Sequence, residues 1–517
     1  MKIRTFVFLL AITAALLASS PNSYAMTIDW SGYFRADHRF IHNYQIDKSA
    51  PGNSVDPAAG GEYIQGQGQR STTFSSMYLK LKPKILVSDN VIVRSEWSVG
   101  DPVYGFFGRN IPAQDRNSLF SNSKDGMDIT ASRLWLDTHT DFGTLQVGRA
   151  PLNWGLGVIF NSGDKVWDRY QSTTDTIRLV SKFGFLTLMP LYAKESMGRN
   201  LAGARNPISD AILSGSDDVT DYGFALKYDN PEEDLDAGLI YYKRNANDTQ
   251  NSFYYPSTAT QFTAGANGMN LKLLDLYAHK KWRRLELGAE LPIFTGTVGD
   301  INGVGTRNAY RATAIAVEAA LNYDTWRHQL KIGRVPGQAP APVTGKGDTF
   351  GGLYFHRAYK LGLILFNYNL GNFGANNPDP IPGSTHPNAP ASSVSPYDAS
   401  ITNARYLMLA TEKRWEQWSM GLGFIYAQAE EVAQLGSDFY NHRTKKWNGS
   451  AALASQEKSL GMELDWGTRY NWDDHITFGM DLGFLMPGKY YAFINKANQS
   501  ADTNMVSSFA LTAGTTF

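Results

Sequence analysis

Cysteine is absent from all 517 residues. That gap excludes a disulfide scaffold, a thiolate zinc site, a cysteine nucleophile and a lipid-modified N-terminal cysteine. An excess of either charge is missing too. The chain has 48 basic and 48 acidic side chains, whereas nucleic-acid binders carry a basic excess, so no nucleic-acid partner is expected. Charge is sparse at 19% while aromatics reach 13%, which is wrong for a disordered chain. Beyond the N-terminus there is no long apolar run, and a bundle of membrane-crossing helices is thereby excluded.

The first residues have an address rather than a fold. Lys2 and Arg4 precede an apolar stretch from Phe6 to Leu17, and Ser23-Tyr24-Ala25 closes the segment with small residues where a signal peptidase cuts. We expect residues 1–25 to be a secretory signal peptide and 26–517 to be the mature protein.

The mature chain alternates with period two. Ile28, Trp30, Gly32, Phe34 and Ala36 share one face, and Asp29, Tyr33, Arg35, Asp37 and Arg39 the other. Met77, Leu79 and Leu81 alternate with Tyr78, Lys80 and Lys82, and Leu460, Met462, Leu464 and Trp466 with Gly461, Glu463 and Asp465. Successive side chains of a strand point to opposite faces. These segments approach the roughly 9–11 residues that a tilted strand needs to cross a bilayer. Their wet faces carry full charges, which a sandwich core would refuse and a water-filled interior accepts. In lipid such strands survive only when the sheet closes on itself.

Turns set the strand count. Eight short polar connections lie near 86–90, 140–143, 183–185, 230–234, 282–284, 324–327, 414–417 and 471–474. Nine long ones, near 42–69, 100–128, 150–173, 196–218, 245–269, 296–308, 335–402, 429–456 and 487–503, alternate with them. The expected fold is an all-β, antiparallel transmembrane barrel of 18 strands (range 16–20), with short periplasmic turns and long extracellular loops. The stretch Phe350–Tyr368 is the alternative source of two more strands; we expect it instead inside the 335–402 loop, entering the pore or covering its mouth. Trp30, Trp282, Trp326, Trp415, Trp418 and Trp472 gather at the short-turn end, as an interfacial girdle would. Phe517 ends an alternating strand, resembling the signal read by the outer-membrane assembly machinery.

Residues on the inward phase are candidate pore-lining groups: Arg35, Arg39, Lys80, Lys82, Arg94, Glu96, Arg133, Asp137, Glu286, Glu290, Glu463 and Asp465. Rows of both signs orient polar solutes in wide channels, and they equally pair across strands. Tyr33, Tyr78, Trp135 and Tyr277 share the phase and are candidates for stacking on sugars. Catalysis finds little support. No histidine has a serine two positions on, as a barrel phospholipase would need, and Asp37-His38 and Asp137 with His139 are the remaining acid–histidine candidates. No dedicated calcium loop or phosphate-cradling loop is present, so neither metal nor cofactor is expected.

Between Leu460 and Tyr491 the chain reads Gly461-Met462-Glu463-Leu464-Asp465, then Phe478-Gly479-Met480-Asp481-Leu482-Gly483-Phe484 and Pro487-Gly488-Lys489-Tyr490. This hairpin resembles the C-terminal hairpin of the alginate-export-type outer-membrane porins. The resemblance implies a large barrel; the mixed charge of the inward phase departs from the arginine-rich lumen such an exporter would want. The expectation is a bacterial outer-membrane porin, with outer-membrane lipid around it and hydrophilic solutes diffusing through it. The alternatives are a channel specific for a polysaccharide or oligosaccharide, and a non-conducting adhesive barrel. Oligomeric state is left open.

Overall fold

The computed structural model describes residues 27–43, 46, 71–103, 105–106, 128–197, 218–246, 269–298, 307–340, 349–368, 399–437, 439–441, 446–448, 451–496, 499–500 and 503–517. The expected signal peptide lies outside them.

Eighteen strands form one wall. In chain order they are β1 (Thr27–Asp29 continued by Gly32–His42), β2 (Ser71–Leu81 continued by Lys84–Ser88), β3 (Val91–Val99), β4 (Ile129–Thr140), β5 (Gly143–Pro151) and β6 (Thr173–Phe183). Then come β7 (Leu186–Met197), β8 (Asp218–Asn230), β9 (Leu235–Ala246), β10 (Met269–Trp282), β11 (Leu285–Val298) and β12 (Asn308–Thr313 continued by Ile315–Asn322). The last six are β13 (Trp326–Val335), β14 (Ala404–Trp415), β15 (Trp418–Ala429), β16 (Ser459–Asn471), β17 (Ile476–Pro487) and β18 (Val506–Thr516). Each is antiparallel to its chain neighbours, and β18 returns to β1 with Thr516 opposite Tyr33. Closure leaves no unpaired sheet edge, the condition for strands in hydrocarbon. Pro83, which has no N–H to give to a ladder, marks the break in β2, opposite the break in β1.

The alternation seen in the sequence is the alternation of the wall. Arg133, Asp275 and Glu463 are buried, while Leu134, Leu274, Leu276 and Leu464 are exposed beside them. An apolar exterior around a charged interior is the inverse of a soluble protein and suits a bilayer. All six girdle tryptophans are exposed at the short-turn end.

Two details depart from expectation. The wall count stays at 18, because Phe350–Tyr368 contributes no hairpin: only Thr349–Phe350 is strand, pairing parallel with Ala309–Tyr310. Leu460, placed outward by its phase, is fully buried. The register of β15 against β16 slips between Ala427 and Gln428, where Gly461 takes φ +117°. A bulge adds one residue and so reverses the facing of what lies beyond it.

Candidate functional site

The inner face is not simply wet. Two chain segments, 152–172 after β5 and 349–368 after β13, fold against it. Each has an apolar anchor. Leu152 and Trp154 pack on Leu191, Ala225, Ile240, Leu273 and Tyr277. Phe355, Leu361, Ile364 and Phe366 pack with Ala316, Met408, Ile425, Leu460 and Leu485. The connection 150–173 reads by length and composition as an ordinary outer loop; its apolar Leu152, Trp154, Val158 and Phe160 were the signal that it turns inward.

Wall carboxylates hold both segments by their backbone. Glu463 accepts the N–H groups of Ile364 at 2.7 Å and Leu365 at 2.6 Å, and Asp465 accepts that of Leu363 at 3.0 Å. On β11, Glu290 accepts the N–H groups of Leu156, Gly157 and Val158. A carboxylate that accepts several backbone donors makes short, charge-assisted bonds, roughly twice as strong as neutral ones. The segments also touch each other: the His356 N–H donates to the Val158 carbonyl at 2.7 Å, and the Arg357 guanidinium lies 5.0 Å from the Tyr170 ring centre.

On the β1–β6 side the anchors are cationic. Arg35 donates to the carbonyls of Val166 and Asp168, both at 2.6 Å, and to that of Pro102, and it lies 4.7 Å from the centre of the Tyr78 ring. Arg133 binds Glu96 at 3.0 Å and the carbonyls of Ser162 and Ser172; Lys80 reaches the same Glu96 at 2.8 Å. Asp37 ties the two segments together. It accepts from Arg169 at 2.8 Å and from Arg39 at 2.7 Å, while Arg39 donates to the Tyr368 hydroxyl at 2.8 Å. Asp37 was a candidate of the sequence only beside His38, and Arg169 was not one at all, because only the folded segment brings Arg169 to Asp37.

Of the twelve candidate pore-lining residues, seven are buried: Arg35, Lys80, Glu96, Arg133, Asp137, Glu290 and Glu463. Asp137 pairs with Arg94 at 2.7 Å. Arg39, Lys82, Arg94, Glu286 and Asp465 are partly exposed. Lys82 pairs with Asp164 at 3.2 Å, and Glu286 with Arg327 at 3.4 Å. Three of the four inward aromatics are buried as well. Tyr277 packs edge-on against Trp154 at 5.0 Å and donates to Asp236. Neither acid–histidine candidate forms a pair. Asp37 is spent on Arg169, while His38 bonds Ser75 at 2.7 Å; His139 bonds Thr144 at 3.0 Å. Among the described residues no cluster of three metal-ligating side chains occurs.

At the centre of segment 349–368, the Ala358 N–H donates to His356 Nδ1 at 3.1 Å, so this ring nitrogen carries no proton. Burial, with Arg357 and Lys360 close by, pushes the imidazole down to about 4.

No family model and no curated protein matches the chain. Among solved structures it is similar to OccK2 (OpdF) of Pseudomonas aeruginosa, at 11% identity and TM-score 0.44 over 95% of this chain and 98% of that one. It is similar to OpdK of Pseudomonas aeruginosa with vanillate, at 8% identity and TM-score 0.47 over 95% and 98%. The third is an anion-selective porin from Comamonas acidovorans, at 10% identity and TM-score 0.39 over 95% and 100%.

Proposed function

We propose that this protein is an outer-membrane channel through which small hydrophilic solutes diffuse, with its bore narrowed by segments 152–172 and 349–368. One observation carries the proposal: a closed 18-strand wall, apolar outside and charged inside, with two segments held against its inner face by buried ion pairs and by carboxylate–backbone bonds. A barrel of 18 strands is wide enough for an aqueous channel, and an inserted segment reduces that width to the size of small molecules. In this arrangement the buried charges hold the segments. Solutes meet the partly exposed ones: Lys82, Arg94 and Glu286, with Arg327 and Arg469. Both signs are present, so selectivity is weak.

The chain reaches that membrane through cleavage after Ala25 and through recognition of Phe517. Phe517 is exposed and is bonded through its backbone to Gly32 in both directions. A saccharide-specific channel, including membership of the alginate-export type, gets no support from the inward aromatics, since Tyr33, Tyr78 and Tyr277 are already packed. Recording in planar bilayers is the test. Open, weakly selective steps are expected, and deletion of residues 353–368 raises their conductance. Silence from folded protein overturns the channel; unchanged conductance on deletion overturns the narrowing.

A further inference from the structure

The outer surface of the barrel has a feature that conduction does not use. On the outward face of β7 to β12, one register row runs Tyr192, Tyr222, Lys243, Lys272, Thr295, Arg311, each residue directly opposite the next. Lys272 and Arg311 are exposed and Lys243 is partly so, while their chain neighbours Leu271, Leu273, Tyr310 and Ala312 are buried on the other side of the wall. The next outward row toward the short turns is apolar: Phe224, Tyr241, Leu274 and Ile293. The next row toward the long loops is polar, with Lys194, Thr220, Asn245, Asn270 and Thr297. No carboxylate stands on any of the three.

Like charges directly opposite on a sheet are destabilising, and Lys243 faces Lys272. Elsewhere on the outer face the arginines are answered: Arg149 by Asp175 at 2.6 Å, and Arg334 by Glu430 at 2.7 Å. Lys243, Lys272 and Arg311 have no ion-pair or hydrogen-bond partner among the described residues. They stand where the apolar belt stops, at the long-loop end, with two tyrosines beside them. Tyrosine at a membrane boundary marks the headgroup level.

We propose that this row binds the phosphate groups of an anionic glycolipid in the outer leaflet, the lipid A portion of lipopolysaccharide. Strands are spaced ~4.8 Å apart, so the three cations span about 15 Å, the scale of one headgroup rather than of a free ion. The inference rests on the outer-membrane reading, which puts the long loops outward.

The test uses the full-length protein in nanodiscs of phosphatidylcholine doped with diphosphorylated lipid A, and measures the lipid A that stays with the protein through a detergent wash. Each cation near an anionic surface contributes about a fivefold factor in binding, so the triple variant K243Q/R311Q/K272Q should lose on the order of a hundredfold in lipid A affinity. Lys272→Gln alone should lose about fivefold if the triple variant folds poorly. Lys413→Gln, a cation at the short-turn end 5.2 Å from the Trp326 ring, should lose nothing. Lipid A stripped of phosphate should be retained no better by wild type than by the variant, and inorganic phosphate should not compete at millimolar levels. Equal retention by wild type and the triple variant, or full competition by inorganic phosphate, overturns the site. Conductance of the same samples is read separately: a conducting triple variant that has lost lipid A supports the site, and a non-conducting wild type that binds it removes the channel and leaves the lipid row standing.

Discussion

At the scale of single residues, the fate of a charge depends on what covers it. Arg35, Arg133 and Glu463 sit on the inward phase as the alternation required, yet their partners come from positions 29 to 133 residues away in the chain. His356 gives a residue-scale prediction. Its imidazole is held near 4, below the value of an exposed histidine. Between that value and about 6.5 the unfolded segment binds more protons than the packed one, so packing stability is full above this window and is lost as the pH falls through it. Conductance of the wild type is therefore expected to rise on acidification from pH 7 to pH 4. His356→Asn, which keeps an acceptor for the Ala358 N–H, should flatten the part of that response lying in this window; an identical profile in the variant removes His356 from the response. Nothing in the sequence around His356 announces this, because the shift comes from burial, and burial comes from the barrel.

At the scale of elements, the strands were legible and the inserted segments only half so. Turn chemistry such as Asn230-Pro231-Glu232-Glu233-Asp234, and the charge alternation along 460–466, follow from local geometry and need no partner. Whether a loop enters the bore depends on fits that only two distant parts make together. Glycine shows this at two anchors. A Cβ on Gly155 would sit 2.5 Å from Glu290 Oε2, and one on Gly362 would sit 2.5 Å from Ile425 Cδ1 and 2.8 Å from both Asp465 Oδ2 and Glu463 Oε1. Gly155 is also at φ +54°, a conformation that L side chains rarely adopt. Gly362→Val should push segment 349–368 off its carboxylates and raise single-channel conductance toward that of the deletion, with an unchanged wall by circular dichroism. Wild-type conductance in the valine variant would show that the backbone–carboxylate bonds do not hold the segment.

At the scale of the whole molecule, inside and outside are exchanged relative to a soluble fold, and this can be probed on one strand. Leu464 is exposed and Glu463 is fully buried one residue away. Leu464→Arg should lower unfolding free energy in lipid by about 2–4 kcal/mol, the cost of a lipid-facing cation near the midplane; a neutral result would place this face in water. The wall, its 18 strands, its tryptophan end and its charged lining were determined by the chain alone, because a two-residue period and short polar turns are local properties and lipid permits only a closed sheet to satisfy them. Tertiary structure decided the rest. Which charges are spent on loops, that 152–172 turns inward, that Leu460 changes sides at a bulge, and that three cations line up on the outer face all depend on register between strands, and register belongs to the pair rather than to either strand.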